Sequence, residues 1–274
     1  MSKHKVLVAD PIADAGINEL KADDSLDVDV RIGISEEELL KDAEIYEAII
    51  VRSQTKITAD VISKATKLKI VGRAGVGVDN IAIPAATKNG VIVMNTPAGN
   101  TISTAEHAFG LMASLARNIP QAHATVTGGG WGRKDYKGVE LNKKTLAILG
   151  MGRIGTEFAR RAIAFGMNVL AYDPYLSPSR ARVLQVELFQ DVDSIVAEAD
   201  FITLHMPLTD ETKHIINEKR LKICKPGARI INCARGGLID EHALLDSIES
   251  GDIAGAALDV YEESEPPPEG YALL

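Results

Sequence analysis

The hydrophobic positions in the first hundred residues form short runs, rich in Val and Ile, that return at an almost constant interval. The runs begin near Lys5, Asp27, Ala48, Lys69 and Val91. Their shortness and their content of β-branched residues are typical of buried strands rather than helices. The pattern therefore predicts a series of short strands in the N-terminal part of the chain.

Helix signals stand between these runs. Ser35 and Glu38 have the spacing of a capping box, Thr58 precedes a helical pattern, and Pro84 and Gly90 bracket another short helix. Strands that alternate with helices favour a parallel sheet that is covered on both faces. We therefore predict a first α/β domain over residues 1–99.

The alternation is interrupted after residue 99. Ser103 and Glu106 again have capping-box spacing, and they precede an apolar stripe that runs from Ala105 to Ile119 at helical spacing. The stripe predicts one long helix, which serves either the core or a subunit interface. Residues 128–137, GGGWGRKDYK, contain the single Trp among glycines and basic residues and predict an extended loop.

A second series of strand and helix patterns predicts another α/β domain over residues 100–274. Its predicted strands are TLAILG, NVLAYD, FITLHM, RIINCA and AALDV. Four helices are predicted between and after these strands. The first begins near Arg153, the second lies near Val192, the third ends before Lys225, and the fourth spans 240–250.

Composition narrows the function classes. The chain has 274 residues, 46% of them hydrophobic, and a formal net charge of −8, so we expect it to fold throughout and to repel polyanions such as nucleic acid. Two cysteines cannot form a disulfide framework, the N-terminus is typical of a strand rather than a signal peptide, and no apolar run has the length of a membrane span. We expect a protein of the reducing cytoplasm.

A glycine-rich turn follows the first strand of the second series. Gly150, Gly152 and Gly155 have G-x-G-x-x-G spacing between a strand and a helix, and Asp173 closes the next strand. Such a turn lets a pyrophosphate approach the backbone at a helix N-terminus, while the carboxylate binds a ribose diol and repels a 2′-phosphate. The turn predicts a dinucleotide site that prefers NAD, although two nearby arginines keep NADP as an alternative.

Other strand ends of the second series also carry candidate chemistry, because ligands of parallel sheets bind outside the carboxyl ends of the strands. Arg235 is the favoured residue, since two glycines follow it and its planar guanidinium can hold the carboxylate of a 2-hydroxy or 2-keto acid beside a nicotinamide. The alternative is a surface arginine at a turn.

Six stretches carry a family resemblance, namely VRSQTKITADVI, IVGRAGVGVDNI, VMNTPAGNTISTAEH, KGVELNKKTLAILGMGRIG, NCARGGLIDE and GAALDVYEESEP. Together they extend over essentially the whole chain and are far more specific than the glycine pattern. With them the chain resembles the D-isomer-specific 2-hydroxyacid dehydrogenases. The resemblance implies a Rossmann NAD-binding domain, a discontinuous flavodoxin-like substrate domain, a cleft between them, and a homodimer built largely through the NAD domain.

The resemblance also implies a reaction, hydride transfer from the hydroxyl carbon of a 2-hydroxy acid to NAD. An arginine holds the carboxylate, a histidine moves the proton, and a glutamate keeps that histidine basic. Arg235 matches the arginine. The candidate cofactor residues, from the turn, the strand ends and the resemblance together, are Val76, Gly150, Gly152, Arg153, Ile154, Gly155, Asp173, His205, Met206, Pro207, Cys233, Ala234, Arg235 and Asp259.

The residues that match substrate contacts are Arg52, Val76, Gly77, Asn100, Arg133, Lys134 and Arg235. Among them, Arg52, Arg133 and Lys134 resemble the cations that supply counter-charge to a phosphorylated substrate. Each of the three also has an alternative interpretation as a solvated surface cation. No metal ligand set is predicted.

The chain departs from the family pattern at the glutamate. In the family this residue directly precedes a proline, and an ungapped count from Asp259 reaches Ser264, whereas the residue before Pro266 is Glu265. We assign the role to Glu265, with Glu263 as the alternative, because a serine offers no carboxylate to an imidazole.

A second departure concerns the proton-handling histidine, which the family places in a later Pro-His segment. None of the six histidines has that context, and the 274 residues end before such a segment and before the one that completes the substrate domain. His205, at a strand end, is the alternative base, and the other histidines are interpreted as helix or surface residues. We therefore expect NAD binding with impaired turnover.

Two other functions stay open. One is a different D-2-hydroxyacid dehydrogenase, acting on hydroxypyruvate, glyoxylate or phosphite, and Arg52 and Arg133 argue for a phosphorylated substrate instead. The other is a non-catalytic NAD-binding sensor or scaffold, which the missing histidine favours and the retained Arg235 opposes.

Overall fold

The computed structural model describes residues 3–262 and 266–273. The chain divides into two compact units, Met1–Asn100 and Thr101–Leu274, hereafter the first and second units. None of the helices in the described ranges combines the length and the hydropathy that crossing a bilayer requires.

The first unit is built on a parallel sheet of five strands in the order β2-β1-β3-β4-β5. This is the strand order of flavodoxin-like sheets and confirms the predicted fold class. Its elements are β1 (His4–Val8), α1 (Asp14–Ala22), β2 (Leu26–Val30), α2 (Glu36–Asp42), a 3-10 helix (Ala43–Ile45), β3 (Ala48–Val51), α3 (Ala59–Lys64), β4 (Ile70–Arg73), α4 (Ile83–Lys88) and β5 (Ile92–Asn95).

The predicted helix starts of the first unit are present in the structure. Ser35 and Glu38 form a reciprocal capping box, in which the Glu38 amide donates to Ser35 Oγ at 3.2 Å and the Ser35 amide donates to Glu38 Oε2 at 3.1 Å. Thr58 caps α3, and Pro84 lies in the first turn of α4. The capping hydrogen bonds of Ser35 and Thr58 fix the residues at which α2 and α3 begin.

The second unit is built on a parallel sheet of six strands in the order β11-β10-β9-β6-β7-β8. This is the Rossmann order and confirms the predicted NAD-binding fold. Its elements are α5 (Thr101–Arg117), α6 (Ile119–Thr127), β6 (Thr145–Leu149), α7 (Arg153–Ala164), β7 (Asn168–Tyr172), α8 (Pro178–Leu184), β8 (Glu187–Phe189), α9 (Val192–Glu198), β9 (Phe201–Leu204), α10 (Glu218–Ile223), β10 (Ala228–Asn232), α11 (Glu241–Glu249) and β11 (Ile253–Leu258).

The predicted start and length of the first helix of this unit are wrong. Because α5 begins at Thr101, Ser103 and Glu106 lie inside the helix, and Glu106 accepts a hydrogen bond from Arg161 at 3.0 Å instead of capping. The apolar stripe is divided at Asn118, whose left-handed conformation (φ 51°) ends α5 before Ile119 opens α6. The prediction also omitted α8 and β8.

The core of the second unit lies on both faces of its sheet. On one face α5 and α7 pack together, and Phe158 is fully buried there between Phe109, at a ring separation of 5.6 Å, and His205, at 5.1 Å. On the other face α9, α10 and α11 cover a second apolar cluster. Phe158 thus joins the helix packing to the end of β9.

Replacing Phe158 with Ala is expected to lower the free energy of unfolding by about 3–5 kcal/mol, because a cavity remains where the ring was. Chemical denaturation followed by circular dichroism measures the loss. Phe165→Ala is the matched control, since that ring also contacts Phe109 but is 54% exposed. Equal losses for the two variants would contradict the packing described for Phe158.

Candidate active site

The second sheet contains a topological switch point. β6 pairs with β7 on one side and with β9 on the other, so the connections after β6 and β9 leave in opposite directions. A crevice forms between the loops that follow such strands, and ligands of open α/β sheets bind there. The two loops here begin at Gly150 and His205.

The glycine turn after β6 leaves no room for side chains at two of its positions. Gly150 has φ 100°, and a Cβ on it would lie 2.5 Å from the carbonyl oxygen of His205. A Cβ on Gly155 would overlap the carbonyl oxygen of Gly150. Around Gly152, in contrast, a Cβ would meet no atom within 4 Å, so the backbone before α7 is open to a ligand.

The residues of the turn fit a dinucleotide. The 12-residue helix α7 begins at Arg153, so its first amide groups face the open side of Gly152 and favour an anion. Asp173 follows β7, and its Oδ2 accepts a hydrogen bond from the Met151 amide at 2.8 Å, while Oδ1 accepts one from the Tyr175 amide at 2.8 Å. The carboxylate is thereby fixed beside the turn, where a ribose would lie.

His205 is a packed and neutral histidine. Its ring lies on Phe158, its Nε2 is 3.0 Å from the hydroxyl of Thr203, and burial lowers its pKa from 6.5 to about 3. A group with so low a pKa is a poor proton acceptor at neutral pH. The alternative in which His205 acts as the base therefore does not fit the structure. Its carbonyl oxygen lies against Gly150 instead.

The loop that carries Arg235 is organised by a buried asparagine. Asn232, 1% exposed at the end of β10, donates from Nδ2 to the Arg235 carbonyl at 2.8 Å and accepts from the Ala234 amide at 3.0 Å. Arg235 Nη1 also donates to the Ala234 carbonyl at 2.6 Å. A Cβ on Gly236 would overlap the carbonyl oxygen of Tyr261, so this glycine is required by close packing.

Asp259, Cys233 and His107 meet at the ends of β10 and β11. The Asp259 carboxylate is 3.3 Å from His107 Nε2, and burial together with Asp259 raises the pKa of the Cys233 thiol to about 12. Their donor atoms lie within 4.8 Å of one another, as metal ligands do. A thiol with this pKa resists conversion to the thiolate that binds metals, so a site without metal remains our prediction.

Arg52 lies in a loop of the first unit that a buried aspartate organises. Asp10, completely buried after β1, accepts hydrogen bonds from the amides of Arg52 at 2.6 Å, Gln54 at 3.2 Å and Thr55 at 3.1 Å, and from the Thr55 hydroxyl at 2.5 Å. The Arg52 side chain itself is exposed. Asp10 was not predicted, and its only signal is a carboxylate at the end of an apolar strand.

Val76 and Gly77 lie in the neighbouring turn, after β4. Asn95 donates from Nδ2 to the Val76 carbonyl at 2.6 Å, and Asn80 donates to the Arg52 carbonyl at 2.8 Å. Arg52, Val76 and Gly77 are thus brought to adjacent turns at the carboxyl ends of neighbouring strands, β3 and β4. Asn100, the last residue of this unit, is exposed.

Two predicted substrate residues lie in a part of the second unit that carries no candidate NAD residue. Arg133 and Lys134 are exposed in the turn after α6, which a 2.5 Å hydrogen bond between Thr125 and Tyr136 holds, and neither forms a hydrogen bond or ion pair with the candidate NAD residues. Glu265, like its alternative Glu263, lies outside the described residues. The remaining NAD candidates flank the crevice, with Ile154 and Met206 half-buried and Pro207 exposed.

Comparison with known proteins identifies the class. Residues 109–274 match the family model of the D-isomer specific 2-hydroxyacid dehydrogenase, NAD binding domain. The chain therefore belongs to the D-isomer-specific 2-hydroxyacid dehydrogenases, which confirms the resemblance and NAD as the cofactor of this fold.

Particular relatives narrow the comparison. The chain is 51% identical to a D-3-phosphoglycerate dehydrogenase of Archaeoglobus fulgidus over 269 residues, which are 98% of this chain and 51% of that one. A glyoxylate reductase structure from Paecilomyes thermophila matches with a TM-score of 0.91 and 33% identity, covering 100% of this chain and 85% of that one. A D-lactate dehydrogenase from Aquifex aeolicus, complexed with NAD and lactic acid, matches with a TM-score of 0.83 and 32% identity, covering 95% and 78%. The chain spans about half the length of the curated relatives it matches.

Asp173→Asn is expected to weaken NADH binding about 10-fold or more, because hydrogen bonds to a charged acceptor contribute about 1.5–3 kcal/mol. It should weaken NADPH binding less, since the repulsion of the 2′-phosphate is removed. NADH and NADPH fluorescence titrations measure both affinities. Asp191→Asn, which keeps a capping side chain on α9, is the control, and an unchanged NADH to NADPH ratio in Asp173→Asn would contradict the role of Asp173.

His205, half-buried against Phe158, is expected to make stability depend on pH. Between its lowered pKa of about 3 and the ordinary value of 6.5, the unfolded chain binds a proton that the folded chain does not. Stability is therefore retained above pH 6.5 and falls by about 1.4 kcal/mol per pH unit below it. Denaturant unfolding of His205→Gln between pH 5 and 7 should show a flatter dependence than wild type. The control His123→Gln, at an exposed position of α6, should keep the wild-type slope, and equal slopes in all three proteins would refute this account.

Proposed function

We propose that the protein oxidises D-3-phosphoglycerate to 3-phosphohydroxypyruvate with NAD, the first step of serine synthesis. The observation that carries the proposal is the fixed position of Arg235 in the loop after β10, next to the strand ends that hold the cofactor residues. The identity with D-3-phosphoglycerate dehydrogenases supports this choice of substrate.

Each part of the site has a role in this reaction. The open backbone at Gly152 and the start of α7 bind the pyrophosphate, and Asp173 binds the ribose. Bound NAD supplies the acceptor for the hydride. Arg235 holds the substrate carboxylate with its planar guanidinium and so orients the hydroxyl carbon.

The proton of the substrate hydroxyl passes to a histidine that a glutamate keeps basic, a role we assign to Glu265 with Glu263 as the alternative. We also propose that turnover by these 274 residues is impaired. In the described chain His205 is half-buried with its pKa lowered to about 3, and His214 Nε2 lies 2.8 Å from the Glu262 carboxylate. His107 is paired with Asp259.

The phosphate of the substrate requires positive charge. We propose that Arg52, Arg133 and Lys134 supply it, and that the backbone at Val76 and Gly77 together with Asn100 completes the substrate contacts. All three side chains are exposed, so they are accessible to a ligand, and cations of this kind form strong hydrogen bonds with phosphate.

We propose a homodimer formed through α5, α6 and the loop 128–137. Large apolar side chains are exposed there, with Ile102 at 50%, Ile119 at 51%, Val126 at 54% and Trp131 at 81% exposure. Large apolar side chains exposed on successive elements of the chain favour an interface there. We keep the cytoplasm as the proposed location, since Cys224 and Cys233 are both thiols.

NADH formation with D-3-phosphoglycerate and with D-glycerate tests the function. Arg52→Ala should raise KM for the phosphorylated substrate about 10- to 100-fold, since a close charge pair contributes about 1.5 kcal/mol or more, and should leave D-glycerate almost unaffected. Arg235→Lys should lower kcat/KM for both, because Lys cannot form the bidentate contact. Lys88→Ala, at an exposed position of α4, is the control.

Other outcomes would favour the alternatives. If an unphosphorylated acid is oxidised or reduced while D-3-phosphoglycerate is inert, the substrate is not D-3-phosphoglycerate. Glyoxylate would then be a candidate, because one similar structure is a glyoxylate reductase. NADH binding without turnover at any substrate, together with a change in oligomeric state, would support the sensor.

A further inference from the structure

We propose that a pocket at the amino-terminal edge of the second sheet binds a small dianion of the phosphate class. The pocket has a volume of about 300 Å³, and Lys144 and Arg229 line it together with the carboxylate of Asp200. It lies at the opposite edge of the sheet from Gly150 and Asp173, because those residues follow the carboxyl ends of β6 and β7. The proposal therefore goes beyond the NAD site and does not rest on the proposed function.

The sheet brings the charged residues of this pocket together. Lys144 directly precedes β6, Asp200 directly precedes β9, and Arg229 is the second residue of β10. The three strands are parallel neighbours, so their first residues lie at one edge of the sheet. Arg229 is paired with Phe201 in the register of β10 and β9, and the two side chains therefore lie on the same face.

Arg229 is a half-buried cation without a carboxylate partner. Its guanidinium lies over the Phe201 ring, 5.7 Å from the centroid, and its Nη1 donates a hydrogen bond to the Gly227 carbonyl at 3.2 Å. In the part of the chain that the structure describes it forms no ion pair, and burial lowers its pKa, against the opposing effect of the Asp200 charge. A charge held away from water is costly unless an opposite charge compensates it, so this guanidinium favours an anion beside it.

The pocket also has an excess of positive charge. Asp200 is the acid among its lining residues, and its Oδ2 accepts a hydrogen bond from the Thr145 amide at 2.8 Å. Lys144 Nζ lies 3.4 Å from Asp200 Oδ1, and Lys225 Nζ lies 4.0 Å from Oδ2. With Arg229, three cations accompany one carboxylate and leave two positive charges in excess. A phosphate group, which carries about −1.5 to −2 charges at neutral pH, balances that excess.

The residue types and the size of the pocket fit a small phosphate. Arg presents planar donors that match two phosphate oxygens, and Lys supplies a point charge. A volume of about 300 Å³ is at the lower end for ligand pockets, so it suits phosphate or a small phosphate ester. The competing occupant is an acidic side chain of a second copy of the chain. Two lysines adjoin this pocket, whereas Lys is depleted in protein interfaces, so the observations favour the small anion.

The test is a titration of inorganic phosphate into the whole protein with saturating NADH, at constant ionic strength set with chloride. Bound NADH keeps phosphate away from the glycine turn. Isothermal titration calorimetry measures the affinity, and the amide NMR signals of Thr145 and Gly227 report binding at the pocket. Glycerol 3-phosphate, a phosphate monoester, and acetate, a monoanion, are titrated in the same way.

Four variants assign the binding to the pocket. Arg229→Met removes the charge and keeps an apolar side chain over Phe201, and Arg229→Lys keeps the charge without the planar donors. Lys144→Met removes a second cation, whose side chain is 40% exposed, so it stays informative if Arg229→Met fails to fold. Lys219→Met is the matched control, because it breaks an ion pair with Asp193 outside the pocket.

We expect phosphate to bind the wild type with a Kd of about 1 mM or lower, and acetate to bind much more weakly. Arg229→Met should weaken phosphate binding about 10-fold or more, because hydrogen bonds to a charged group are lost, and Lys144→Met about threefold. Arg229→Lys should fall between Arg229→Met and the wild type, and Lys219→Met should equal the wild type. Tighter binding of glycerol 3-phosphate than of phosphate would identify the ligand as a phosphate ester, and the reverse would identify it as free phosphate.

The proposal fails if the Thr145 and Gly227 signals do not move at phosphate concentrations about 10 times the expected Kd. It also fails if Arg229→Met and Lys144→Met, both folded by circular dichroism, bind phosphate as tightly as the wild type. If the two signals move with protein concentration instead, and Arg229→Met sediments as a monomer where the wild type is a dimer, the pocket belongs to a subunit contact and the proposal is overturned.

Discussion

The turn between β6 and α7 has no room for side chains at Gly150 and Gly155. The carbonyl of His205 lies against Gly150, and the carbonyl of Gly150 lies against Gly155, so the end of β9, the turn and the helix are in direct backbone contact. Because of this contact, α7 begins immediately after the turn and its first amide groups stay open toward a ligand. Asp173 is fixed to the same turn through Met151, so the proposed ribose and pyrophosphate subsites share one support.

The fold could be predicted because its signals are local. Short Val- and Ile-rich strands separated by helix caps define an alternating chain, and Ser35 with Glu38 shows that such a cap forms where its spacing indicates. The division of α5 from α6 could not be predicted in this way. It depends on the left-handed backbone of Asn118, and the apolar stripe continues across it without interruption.

The candidate site was predictable where its residues belong to short sequence motifs. The glycine turn, Asp173 and Arg235 belong to short motifs, and each lies at the strand end where its motif places it. Asp10 and Asn232 escaped prediction because their function is to accept or donate hydrogen bonds within loops whose shape is unknown from sequence. The lowered pKa of His205 could not be predicted, because it depends on packing against Phe158 of α7, which is distant in sequence.

The environment of Cys233 has a consequence for the chemical durability of the protein. Oxidants and alkylating agents attack the thiolate, and a pKa raised to about 12 keeps the Cys233 sulfur protonated at pH 7. The nearby carboxylate of Asp259 repels anionic oxidants, and its negative charge also disfavours the thiolate form of Cys233. The burial and the charge that surround Cys233 at the edge of the crevice thereby also make its sulfur slow to react.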